Sequence, residues 1–568
     1  MQSTNPTSYV TRSIAQGRLS LIIFQDEVFH VRQAQQYCDG NFDVWDPKIT
    51  TPPGLYLLSY ALSSTLGYEL TNLRNHVAAC LDFITILMVW IYAIRTSRSS
   101  GPDQRTRWLS EHNAFNISLF PPLFFFAALY YTDVPSTLSV LVFHVFYMRS
   151  LGSPKWYSPL LLTVLGVVSL LFRQTNIFWV AIFPAAITLV KELDRGHEVV
   201  RDSMYRQSEG FGDSLLSLAK TSWKMEVIYD PPIRDAWIED YFGTVISLAV
   251  CGLKTAMSPR RLGRLLLALL PYQTLIALFA GFVFWNGSVV LGDKSNHIAT
   301  LHLPQMLYIW PYFAFFSWPL LYRFLLLLPL TIVSKMSSTT TLEQILNCQR
   351  RDLLPRAWVV AACTILAGVL VRFNTIVHPF TLADNRHYTF YVFRLLMRPW
   401  WVKYAVTPVY VLCGWACIQA LGTSPASVAA EDSKPAPGQS ASPSSMKLLL
   451  PDTKSSATTS FVLIWLATSA LQLVTAPLVE PRYFILPWIY WRMHLPMQQP
   501  RQGRQSMNNG MGASAWSKAK RAVWDDHDHR LWVETVWFLT VNAATAYIFL
   551  AWTFEWPQEP GEVQRFMW

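Results

Sequence analysis

The sequence predicts an all-α polytopic membrane protein with roughly 11–13 transmembrane helices, judged from how many apolar runs approach bilayer length. Three observations carry this. Only 14% of the 568 residues are charged and 52% are hydrophobic, whereas a soluble domain carries about 25% charged residues. The apolar runs recur along most of the chain, and several come near the ~20 residues that cross a hydrocarbon core. The basic residues gather in segments that alternate with much less basic connections, the asymmetry that marks cytosolic loops.

In chain order the spans fall at 74–94, 113–131, 134–148, 157–172, 176–190, 264–285, 303–333, 357–373, 402–421, 459–478, 482–492 and 531–552. The run 303–333 holds Pro304, Pro311, Pro319 and Pro329, so a break into two helices is expected, because proline removes a ladder donor and clashes with the preceding turn. Before Asp26 there is only the short apolar run Leu19–Phe24. Either a first helix is missing ahead of it or residues 8–25 form a partial one, and no cleavable signal peptide is visible. The simplest organisation is one membrane domain over 1–568. Within it lie a first luminal loop at 26–54, cytosolic insertions at 191–263 and 495–530, and a Ser/Pro/Ala-rich linker at 422–458 whose composition predicts disorder.

Orientation follows from Lys and Arg. Segments 95–111, 191–264, 334–356 and 493–530 are the basic ones and are assigned to the cytosol. The net charge of +10 is thereby accounted for, and no nucleic-acid partner is expected. Seven scattered cysteines fit neither a disulfide framework nor a zinc site, and no other metal-ligand cluster or cofactor motif stands out. The polar-rich connections then all fall on the luminal face: 26–54, 130–133, 173–176, 285–302, 376–391 and 479–483.

Each connection has a functional reading and a plainer one. Asp26 and Glu27 are adjacent acids one turn before His30. A carboxylate at a membrane surface takes a proton from a sugar hydroxyl, and the same pair equally caps a helix. The run from Trp45-Asp46 to Gly54 reads as a rigid re-entering loop. Asp384, Asn385, Arg386, His387 and Tyr388 are consecutive; an arginine fork and a histidine suit a phosphate, and an Asp–Arg pair in a plain loop suits the same residues. Arg173, beside Gln174, and Arg482, two residues after Glu480, either face a substrate or snorkel to the interface. Asp293-Lys294 is a candidate contact or a simple surface pair.

The segments DEVFHVRQAQQYC, WDPKITTPPGLYLLS, FRQTNIFW, GDKSNHIATLHLPQMLY, LADNRHYTFYVFR and EPRYFILPW occur in one order. As an ensemble they resemble the DIE2-type family of endoplasmic-reticulum α-1,2-glucosyltransferases, over about residues 26–492. The resemblance implies a GT-C type fold in the endoplasmic-reticulum membrane. It implies dolichyl-phosphate-glucose as donor and the diglucosylated high-mannose glycan on dolichyl diphosphate as acceptor. On it, Asp26 or Glu27 is the catalytic base. His30, Trp45, Asp46, Asp133, Arg173, Gln174, Asp293, Lys294, Asp384 to Tyr388, Glu480 and Arg482 are substrate contacts. A transporter or scramblase of lipid-linked sugars, the competing class, would carry ionisable groups at mid-membrane, and the spans are nearly free of them. A non-catalytic subunit of a membrane complex is the third reading.

Overall fold

In the computed structural model, the described residues are 25–67, 86–87, 89–91, 104–194, 214–294, 300–334, 355–377, 381–382, 385–422, 457–476, 478–496, 527–555 and 563–568. The span expected at 74–94, the linker 422–458 and the insertion 495–530 lie mostly or wholly outside them.

The chain is helical, as its composition requires. Two helices, α1 (Gln25–Cys38) and α2 (Gly54–Leu66), flank the first polar loop. Then come α3 (Gln104–Ser118), α4 (Pro121–Ala127), α5 (Asp133–Gly152) and α6 (Ser158–Phe172). The single span expected at 113–131 is thus two helices, broken where Pro121-Pro122 starts a new first turn; proline is tolerated there because that N–H has no intrahelical partner. After a 3₁₀ turn at Gln174–Asn176 and a π-helical turn at Phe178–Ile182 comes α7 (Phe183–Leu193). The next elements are α8 (Leu215–Met225), α9 (Ile238–Ala256), α10 (Pro259–Asn286), α11 (Gln305–Ser334) and α12 (Ala357–Asn374). The last are α13 (Tyr388–Met397), α14 (Val402–Ala405), α15 (Thr407–Gly422), α16 (Thr459–Leu473), α17 (Ile485–His494) and α18 (His529–Ala551). A two-stranded antiparallel ribbon, β1 (Thr553–Glu555) and β2 (Val563–Arg565), follows.

Among the described residues six helical stretches are long and apolar enough to cross a membrane: Asp133–Gly152, Gln174–Leu193, Pro259–Asn286, Ala357–Asn374, Val402–Gly422 and His529–Ala551. The protein is an all-α multi-pass membrane protein apart from the short ribbon.

The core is aromatic, and its indole donors are satisfied. The N–H groups of Trp179, Trp465, Trp488 and Trp491, all fully buried, donate to Gln472 Oε1, Pro487 O, Ser317 Oγ and Cys417 O. A buried indole without such a partner is costly. The break expected in 303–333 sits at Ser317, whose backbone is non-helical within α11. Pro319 deprives the Phe315 carbonyl of its donor four residues on. Trp537 Nε1 of α18 supplies one instead, at 2.9 Å.

Segment 191–263, expected as a cytosolic insertion, contributes α8 and α9 to the packed body. Thr244 of α9 hydrogen-bonds Thr459 at 2.7 Å, and the Asp230 carboxylate accepts from Thr459 Oγ1, Ser460 N and Ser460 Oγ, capping α16. Two of the expected spans share a buried ion pair. Arg492 of α17 donates twice to Glu534 of α18, which also accepts from Asn116 of α3. The two charged side chains are 2% and 0% exposed, inside spans that read as nearly charge-free.

Candidate active site at one end of the helix bundle

The site grows from the junction of α5 and α6. Asn176 is fully buried and donates to Ser136 Oγ at 2.9 Å and to Ser169 O at 2.9 Å. It thereby ties the first turn of α5 to the last turn of α6. That tie places Asp133, at the start of α5, against Arg173, just past the end of α6. Arg173 Nη1 reaches Asp133 Oδ1 at 2.8 Å. Asp133 is only 1% exposed, and its Oδ2 has no hydrogen-bond partner among the described residues. The π-helical turn that follows is a common accompaniment of functional sites.

A second ion pair lies alongside. Arg482 Nε donates to Glu480 Oε2 in the 3₁₀ turn that starts α17, and Tyr312 of α11 holds that turn by donating to Pro481 O at 3.1 Å. Burial pushes the Glu480 carboxyl up, but Arg482, His387 and Arg173 more than offset it and hold the group below the usual carboxylate range. Arg482 in turn feels Glu480, Tyr483 and Asp133. The acids and bases of three separate connections, 130–133, 173–176 and 479–483, therefore form one electrostatic cluster with His387 beside it.

The first polar loop joins this cluster from the other side. His30 Nδ1 bonds Tyr56 OH at 2.6 Å, and its ring lies 5.3 Å from that of Tyr131, two residues before Asp133. Gln33 reads both ends of the loop start: its Nε2 donates to Val44 O at 2.6 Å and its Oε1 accepts from Asp46 N at 2.9 Å. Trp45 Nε1 donates to Ile49 O, and the Asp46 carboxylate accepts from Lys48 N at 2.9 Å. Gln174 Nε2 donates to Thr50 O at 2.7 Å. From the far side, Leu291 N donates to Thr50 O and Asp293 N to Pro47 O at 2.7 Å. Lys294 Nζ turns back to Asn286 O. Two glycines permit the approaches. Gly292 has φ +61°, and a Cβ there would lie 2.4 Å from Pro47 O; one on Gly54 would lie 2.5 Å from Leu171 O. Main chain meets main chain at both points.

Of the site residues expected from sequence, Asp133, Arg173, Glu480, Arg482 and His387 converge, and His30 packs beside Tyr131, two residues before Asp133. Trp45, Asp46, Gln174, Asp293 and Lys294 build the loop that borders them, acting through hydrogen bonds to backbone. Asn385 is exposed, and Arg386 and Tyr388 flank His387 at the start of α13. Asp26 and Glu27 lie in the first turn of α1; their side chains, and all of Asp384, fall outside the described residues. Sequence reading missed Tyr56, Tyr131, Tyr312 and Gly292. Tyr56 and Gly292 sit inside the motifs quoted above, where an aromatic beside a Pro-Pro-Gly turn and a glycine between loops were the available signals.

A sequence profile of the DIE2/ALG10 family matches residues 22–493. The chain belongs to that family. Relatives agree over nearly the whole length. A protein of Aspergillus fumigatus is 38% identical, covering 96% of this chain and 94% of its own, and one of Emericella nidulans is 39% identical with the same coverage. A mouse protein is 29% identical over 96% of this chain and 93% of its own. All three bear the name Dol-P-Glc:Glc(2)Man(9)GlcNAc(2)-PP-Dol alpha-1,2-glucosyltransferase. No solved structure matches.

Proposed function

We propose that this DIE2/ALG10 protein is a dolichyl-phosphate-glucose-dependent α-1,2-glucosyltransferase. It adds the terminal glucose to the diglucosylated high-mannose oligosaccharide on dolichyl diphosphate, in the endoplasmic-reticulum membrane with its site luminal. The observation that carries the reading is the convergence of Asp133, Arg173, Glu480, Arg482 and His387 from connections far apart in sequence, in a chain whose full-length relatives carry that name.

A β-linked glucosyl phosphate giving an α-linkage inverts at the anomeric carbon, so one in-line displacement is needed. The acceptor hydroxyl attacks as a base removes its proton, and dolichyl phosphate leaves with one more negative charge. Asp26, with Glu27 next, is the proposed base; both stand one helical turn before His30, which packs at the edge of the cluster. Arg173 and Arg482 serve the departing phosphate. Each is already held by a carboxylate, so its guanidinium is oriented in advance, and preorganised donors stabilise developing charge at little reorganisation cost. Arg386 and His387 add further hydrogen-bond donors on that side. Trp45 and Tyr388 offer aromatic faces to sugar rings. The donor's dolichyl chain lies in the surrounding bilayer lipid.

The test is transfer by the purified chain from dolichyl-phosphate-glucose to defined lipid-linked acceptors. The reading expects one glucose added to the diglucosylated glycan and none to the monoglucosylated one; transfer to neither, from a folded preparation, overturns it.

A further inference from the structure

Met567 and Trp568 lie against the turn that carries His387. Met567 N donates to Arg386 O at 2.8 Å, and Tyr388 N donates to Met567 O at 3.1 Å. Together they make a parallel bridge centred on His387. Met567 is buried. Trp568 packs its ring 5.5 Å from Tyr388 and 5.8 Å from Phe316, and Phe316 lies 4.8 Å from Tyr312, the residue that holds the Arg482 turn. The tail is itself anchored. β2 pairs with β1 in register Thr553 to Arg565, and Arg565 Nη1 donates to the carbonyls of Phe549 and Leu550 in the last turn of α18.

The geometry points to residues 565–568 as a brace that positions Arg386, His387 and Tyr388 for the donor phosphate, with Met567 and Trp568 as positioning residues for glucosyl transfer. Three considerations support this. The peptide groups on either side of His387 are both hydrogen-bonded to the tail. The turn they belong to carries Arg386 and His387, and a hydrogen-bonded main chain fixes their origin far better than a free loop does. The tail reaches the turn through backbone atoms at Met567, whose buried side chain a similar apolar one can replace, whereas at Trp568 the contact is the ring. The inference rests on the glucosyltransferase reading.

The experiment compares purified full-length wild type, Met567→Pro, Met567→Leu, Trp568→Ala and Trp568→Phe. Readouts are donor KM, acceptor KM, kcat, and hydrogen exchange at the Tyr388 amide. Met567→Pro lacks the N–H that meets Arg386 O. It is expected to raise donor KM or lower kcat at least 10-fold, with acceptor KM within 2-fold of wild type and faster Tyr388 exchange. Met567→Leu is expected to match wild type on all four. Trp568→Ala follows Met567→Pro in direction, and Trp568→Phe recovers most of the loss. Wild-type-like transfer and exchange in Met567→Pro and Trp568→Ala overturn the brace while the transferase reading stands. If wild type itself transfers no glucose, that reading fails, and the exchange data alone decide whether the tail orders the turn. Should Met567→Pro not fold, the Trp568→Ala and Trp568→Phe pair settles the matter. An equal rise in donor and acceptor KM in Trp568→Ala marks a merely structural tail and also overturns the brace.

Discussion

At the scale of single residues, charge pairing decides what the site can do. Arg173 and Arg482 are each matched to a buried or half-buried carboxylate, so removing Asp133 or Glu480 takes away the group that orients the cation. Glu480→Gln should therefore lower kcat while leaving protein yield nearly intact, measured as turnover per monodisperse protein. The sign of its pH effect follows from its depressed carboxyl. The pair adds stability above the unfolded-state value, and that contribution fades as pH falls through the lower folded-state value. Melting followed from neutral pH downward should show loss in Glu480-containing protein that Glu480→Gln does not share. For the proposed base, Asp26→Asn should reduce single-turnover transfer by ~10²-fold or more with donor binding kept. If Asp26 only caps α1, the change costs about 1 kcal/mol of stability and leaves turnover per folded molecule alone. Gly292→Ala adds a Cβ against a main-chain oxygen and strains a left-handed residue, worth roughly 1–3 kcal/mol for the backbone alone. The loop 45–53 should then undock, read as raised KM together with a lower melting temperature. Much at this scale was legible: charged and polar residues beside apolar runs stand out. What was not legible is their partner, since no spacing along the chain tells that Asp133 meets Arg173 or that Gln174 meets Thr50 O.

At the scale of elements, helix ends and helix breaks carry the organisation. The prolines alone predict the break in α11, because the missing donor is a property of the residue itself. Its place at Ser317 depends on Trp488 and Trp537 arriving to satisfy the freed groups, which is tertiary information. α8 and α9 are hidden in a segment that reads as an insertion, since its basic residues outweigh the apolar face of Ile238–Ala256. The Arg492–Glu534 pair is the clearest case. It joins α17 to α18 at the end of α17 away from Arg482, so it belongs to packing and not to the site. Breaking a buried pair on one side costs roughly 3–5 kcal/mol because the other charge stays behind. Glu534→Gln should thus drop the melting temperature sharply while turnover of the surviving folded fraction, below the transition, remains close to wild type. A loss of turnover without a loss of stability would tie this pair to catalysis and refute its assignment to packing.

At the scale of the whole molecule, the question is which side of the membrane the cluster faces. α5 begins at Asp133 within the cluster and runs 20 residues to Gly152; at about 1.5 Å per residue that is ~30 Å, the thickness of the hydrocarbon core. If α5 crosses the membrane, the connection beyond it, holding Trp156 at 91% exposure, emerges on the opposite side from Asn385, which is exposed on the turn beside His387. The luminal placement proposed above follows from Lys and Arg asymmetry, and a crossing α5 would put the two positions on opposite sides. In a cysteine-light background, Asn385→Cys in sealed microsomes should resist a membrane-impermeant maleimide until detergent is added, while Trp156→Cys should label at once. Protection of position 156 and labelling of position 385 would invert the molecule and place the site in the cytosol, where a luminal acceptor glycan cannot reach it. Labelling of both from the outside would mean that α5 does not cross, and the cluster would then be a surface feature with no membrane between its two ends. The outcome bears on the chemistry as well. Paired guanidiniums at the mouth of a bundle can receive a phosphate whose lipid stays in the bilayer only if the cluster sits at the depth where headgroups lie, which is where an α5 that spans the core from its first residue puts Asp133.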